Sequence, residues 1–72
     1  MPTIPERLRE LRKSKGLSQR AVGEAIEVTE RNYRKYEAGE FEPAAKNIIK
    51  LANLFEVSTD YILCQSDNPK RQ

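Results

Sequence analysis

Apolar residues recur along this chain at the three- and four-residue spacing of helices. Ile4, Leu8 and Leu11 fall at i, i+4 and i+7, which predicts a first helix from about Ile4 to Lys15. Thr3 and Glu6 fit a capping box at its start. Pro5 disfavours helical geometry at Ile4, so a start at Pro5 is the alternative. Gly16 ends the helix. Ser18 suits the N-cap of a second helix reaching about Ala25, with Val22 and Ile26 on its apolar side. Ala21, Gly23 and Ala25 are small and let a neighbouring helix come close. Thr29 caps a third helix, from Glu30 to about Ala38, and Gly39 stops it. Pro43 is read as the first residue of a fourth helix. There Ile48, Leu51, Ala52 and Phe55 give i, i+3, i+4 and i+7, with Ile49 and Leu54 widening the stripe. Ser58 caps a short fifth helix containing Tyr61, Ile62 and Leu63, with Asp60 in its first turn. Sustained period-2 alternation is missing, so strands are not expected. The pattern predicts an all-α chain: one five-helix domain over residues 1–64 and a flexible polar tail over 65–72.

Composition narrows what such a bundle can do. Its 72 residues make one domain with a modest core. One cysteine and no histidine exclude an internal disulfide, a Cys/His zinc site and histidine-based catalysis. With no metal cluster and no glycine-rich phosphate loop, neither an enzyme nor a cofactor is expected. A small-molecule ligand is not expected either. No apolar run would span a bilayer and the N-terminus lacks a signal-peptide core, so the expected place is the cytoplasm, without membrane contact. The net charge of +2 says little until the charges are located.

The third helix locates them. At about 100° per residue, Tyr33 and Tyr36 point one way while Arg31, Arg34 and Lys35 cluster almost opposite. Tyrosines can dock on a core while three cations face outward. One reading is an ordinary solvated face. The other is a short basic helix, held by a tight turn against the helix before it, that fits the major groove of DNA.

From Arg7 to Leu63 the chain resembles the Cro and phage-repressor (XRE-like) family of helix-turn-helix proteins. The resemblance rests on Gly16-Leu17-Ser18-Gln19, on Tyr36-Glu37-Ala38-Gly39 and on Val57-Ser58-Thr59-Asp60-Tyr61, in that order and spacing. It implies a compact, lambda-repressor-like DNA-binding domain. It also implies a regulator, most simply a repressor, bound as a homodimer to a near-palindromic site on double-stranded DNA. Glu30, Arg31, Arg34 and Lys35 then lie where the family reads base edges. Gln19, Arg20, Asn32 and Arg12 lie where it meets phosphates. Arg12 and Glu37 match a structural pair. Glu30 is open to three roles: accepting from cytosine N4, restraining a neighbouring arginine, or serving the helix dipole. Leu54, Ile62 and Leu63 are candidates either for dimer contacts or for internal core. An antitoxin or anti-regulator that uses the same fold to bind a protein partner is the alternative function.

Three positions depart from the family pattern. The turn between the second and third helices usually has glycine and here has Glu27, which implies a strained left-handed residue. The following loop carries Glu40 and Glu42 instead of basic residues, which leaves backbone N–H groups near Pro43 to Lys46 as its phosphate donors. Cys64 takes the place of a terminal glycine and is read as passive.

Overall fold

The computed structural model describes residues 2–70. It has five helices: α1 (Ile4–Ser14), α2 (Gln19–Ala25), α3 (Glu30–Ala38), α4 (Ala45–Phe55) and α5 (Thr59–Ile62). The described residues include no strand.

Local chemistry sets most of the boundaries. Thr3 takes extended geometry and its hydroxyl accepts from the Glu6 N–H, so α1 begins at Ile4 with Pro5 inside its first turn. Ser18, Thr29 and Ser58 cap the next helix in the same way, accepting from the N–H groups of Ala21, Asn32 and Tyr61. Each such cap is worth about 1 kcal/mol. The fourth helix differs from the expectation. Its cap is Ala44, extended and without a side-chain bond, so Pro43 lies one residue outside the helix and not at its first position. Gly39 ends α3 at φ 78°, where an L side chain would be strained.

The apolar faces converge on Leu8, Val22, Ile26, Tyr33, Leu51 and Ile62, all essentially inaccessible. Tyr36, Ile48, Phe55 and Val57 close this core. Burying a side chain of this size contributes about 1.5–3 kcal/mol. Tyr33 and Tyr36 meet edge to face at 6.1 Å, and Asn47 donates to the Tyr36 hydroxyl at 3.1 Å, tying α4 to the back of α3. Ile62, one of the candidates for dimer contact, belongs to the core; Leu63 and Ile49 are the exposed apolar residues nearby.

Within the stretch read from composition as a tail, Ser66, Asp67 and Pro69 contact the helical body. Arg7, buried on α1, donates to the Tyr61 and Ser66 carbonyls, each at 2.9 Å, and reaches Asp67 at 3.4 Å. Its guanidinium lies 4.0 Å from the centre of the Tyr61 ring. The Ser58 N–H donates to the Pro69 carbonyl. A buried cation needs acceptors; α5 supplies one at Tyr61 and this strap supplies Ser66 and Asp67, while Arg7 Nε has no partner among the described residues. The last two positions of the expected tail, 71 and 72, lie outside the described residues.

Candidate nucleic-acid interface

The candidate surface is built around the turn that joins α2 to α3. Two features let the helices approach. Gly23 faces the turn, and a Cβ there would lie 3.2 Å from the Val28 carbonyl oxygen and 3.3 Å from that of Thr29. Glu27 adopts φ 63°, the left-handed geometry that glycine would take without strain. The Val28 N–H then donates back to the Gly23 carbonyl. Lys50 of α4 pairs with the Glu27 carboxylate at 3.3 Å, which holds the turn from below.

With Tyr33, Tyr36 and Glu37 buried, α3 presents its other side to solvent. Arg31, Asn32 and Arg34 are exposed there, and Glu30 and Lys35 are partly exposed. These residues therefore share one surface, but not one state. Glu30 and Arg34 form an ion pair one helical turn apart. The Lys35 ammonium lies 4.7 Å above the ring of Phe41, in the loop after α3. The Arg31 side chain has no partner among the described residues. Asn32 uses its backbone N–H on the Thr29 cap and leaves its side chain at the surface.

Beside this surface, at the C-terminal end of α3, lies a network centred on Glu37. Arg12 donates to both carboxylate oxygens, at 2.7 and 3.1 Å, and to the Leu17 carbonyl. Gln19 donates to the same carboxylate at 3.3 Å. Arg9 donates weakly to the Glu37 carbonyl at 3.4 Å, its guanidinium half-exposed. The structure thus brings Arg12, Glu37 and Gln19 together. Arg20 stands apart, exposed and paired with Glu24 on its own helix.

Burial alone would raise the Glu37 pKa, but hydrogen bonds led by that from Arg12 outweigh it, so the carboxyl lies below its ordinary value. The same bond raises the Arg12 pKa against its partial desolvation. The Tyr33 hydroxyl is buried beside the pair without a well-formed hydrogen bond. Burial first, and then the proximity of the Glu37 carboxylate as acceptor and as charge, push its pKa up.

Arg9 is a residue the sequence reading missed. In a run of alternating charges on α1 nothing distinguishes it; only the packing of α3 across α1 brings it to Glu37. Arg7 was missed as well, since its partners Tyr61, Ser66 and Asp67 lie far along the chain. Among the described residues no cluster of histidine, cysteine and acidic side chains could hold a metal ion, and no helix is long and apolar enough to cross a membrane.

Two helices at a tight turn, the second presenting its polar side, define a helix-turn-helix unit. The sequence matches the helix-turn-helix family over residues 8–62, and the chain belongs to that family. It is 45% identical over 58 residues to a prophage-derived HTH-type transcriptional regulator of Bacillus subtilis, YonR, covering 81% of this chain and 54% of that protein. It is 37% identical over 57 residues to the phage CTXphi transcriptional repressor RstR of Vibrio cholerae, covering 79% of this chain and 51% of the repressor. Among solved structures, the P22 c2 repressor bound to a synthetic operator superposes with a TM-score of 0.85 at 29% identity, over 92% of this chain and all of that one. The chain spans about half the length of the curated relatives it matches.

Proposed function

We propose that this domain binds double-stranded DNA sequence-specifically and acts as a transcriptional repressor, with α3 in the major groove. The observation that carries the reading is the exposed side of α3. It offers Arg31, unpaired among the described residues, with Arg34 and Lys35 beside it, on a fold that matches an operator-bound repressor. Arginine can donate two parallel hydrogen bonds to guanine N7 and O6, and each such pair is worth roughly 1–3 kcal/mol of discrimination.

Gln19, Arg12 and Arg9 lie next to this helix as donors for a phosphate of the flanking backbone. The N–H groups that open α4, which no side chain caps, are a second set of phosphate donors. One short helix reads few base pairs, so useful specificity calls for two copies on a near-palindromic site. Exposed Ile49 and half-buried Leu54 on α4, with exposed Leu63 just after α5, are the apolar residues for that pairing. The working place of such a regulator is the cytoplasm, and the reading includes no catalytic step.

Selection from random duplex DNA tests the proposal, followed by titration of the selected site at several salt concentrations. A palindromic motif is expected, bound as a dimer, with affinity falling steeply as salt rises. Arg31→Ala should relax the preference at defined positions. If no motif is enriched and binding stays weak, the DNA reading fails and a protein partner takes its place.

A further inference from the structure

We infer that Glu30 and Arg34 form one reading unit, in which Glu30 is a positioning residue that orients the Arg34 guanidinium toward guanine. The inference rests on the DNA-binding reading above. The three cations of α3 are not equivalent: among the described residues Arg31 has no partner, Lys35 lies against Phe41, and Arg34 is held by Glu30.

Glu30 is the first residue of α3, so a helix that enters a groove carries this carboxylate with it. Phosphates on both sides repel an unpaired carboxylate there. Arg34, four residues on and on the same face, removes that conflict. The glutamate is N-terminal to its partner, the favourable order for an i, i+4 pair.

The contact uses Nη2 of Arg34 and Oε2 of Glu30. A guanidinium has five N–H donors, so donors remain for a bidentate contact with guanine. In solution the pair is weak, since Arg34 is 60% and Glu30 37% exposed. Inside the groove water is excluded and the pair strengthens. Holding the guanidinium in advance also lowers the entropy lost when it binds. Glu30 therefore costs affinity for DNA in general and improves the choice of base.

That combination gives opposite signs in one experiment. Binding-site selection and titration would be run on the wild type, Glu30→Gln, Arg34→Ala and the double variant, with melting temperatures as a check on folding. Arg34→Ala identifies the position that Arg34 reads. Glu30→Gln is expected to relax guanine preference at that same position about fivefold or more, while binding to scrambled duplex tightens. Its salt slope on scrambled duplex should steepen by about one, because a released Arg34 finds a phosphate. The double variant should discriminate no worse than Arg34→Ala alone.

The inference is overturned if Glu30→Gln changes no position, or relaxes one that Arg34→Ala leaves intact. The latter would make Glu30 a reader in its own right. Multiplicative losses in the double variant overturn it too. If the wild type itself selects no motif, the DNA-binding reading falls, and that is visible without any variant.

Discussion

Arg7 and Arg12 leave the same helix and are both drawn out of water, with side chains 6% and 14% exposed, yet they are answered in different ways. Arg12 meets a carboxylate. Its partner Glu37 comes from the candidate recognition helix, so the pair fixes how α3 lies against α1. Arg7 meets main-chain carbonyls at the far end of the sequence, and its one carboxylate, Asp67, is 88% exposed. Charge balance is thus local at Arg12 and nearly absent at Arg7. At the first site an ion pair orients a functional element. At the second a cation serves as a multiple hydrogen-bond donor that closes the fold.

The sharpest way to break this contrast is to remove Glu37. Glu37→Leu leaves the Arg12 guanidinium without its counter-charge, and the expected loss is about 3 kcal/mol. In a domain of this size that lowers the melting temperature by about 15 °C. Adding Arg12→Met should restore most of the stability, since a well-packed apolar pair replaces a buried ion pair at little cost. DNA affinity should stay low in the double variant. Recovery of both would mean that Arg12 contributes nothing to binding.

Arg7→Met should cost about 2 kcal/mol in chemical denaturation, because two carbonyls lose a charged donor. Deleting residues 66–72 should cost as much or more. A truncated chain as stable as the full one would mean the strap is idle. Asp67→Asn, by contrast, should stay within about 0.5 kcal/mol, as an exposed ion pair does.

Acid separates the two arginines further. Glu37 has a folded-state pKa below its ordinary 4.5, so the unfolded chain binds its proton more readily. Its contribution is complete above that ordinary value and is lost as pH falls from about 4.5 through the lower folded-state value. Denaturation curves of wild type and Glu37→Gln should therefore converge in acid, while the deficit of Arg7→Met persists. The effect expected at the turn is also small. Glu27→Gly relieves left-handed strain but loses the Lys50 pair and loosens the unfolded chain, for a net gain of about 0.5 kcal/mol in thermal unfolding.

The contrast also marks how far the sequence could be read. The stripes Ile4-Leu8-Leu11 and Ile48-Leu51-Ala52-Phe55 locate helices, because helical periodicity is written in neighbouring residues. Ser18, Thr29 and Ser58 set helix starts for the same reason. The strained turn at Glu27 was legible only through the family resemblance, which places glycine at that position. Pro43 misled because a proline just before a helix and one inside its first turn look alike; Ala44 took the cap without any side-chain signal. For the candidate site, the exposed cations of α3 were legible from their angular spacing, whereas their pairing was not. Lys35 leans on Phe41, a residue of the next loop, and the Glu30 carboxylate lies on Arg34, where the sequence had left three roles open. Arg7 was out of reach altogether: its partners are 54 to 60 residues away and two of them are carbonyls, which every residue possesses.

A donor that bonds main-chain carbonyls recognises the contour of its partner and is blind to the letters. Residues 65–70 are then free to drift in identity, as long as their number and course return Ser66 to the same spot. Among descendants of this chain the arginine at position 7 should persist beside a strap of shifting composition and constant length. A single inserted residue between Leu63 and Ser66 should do more harm than most replacements there.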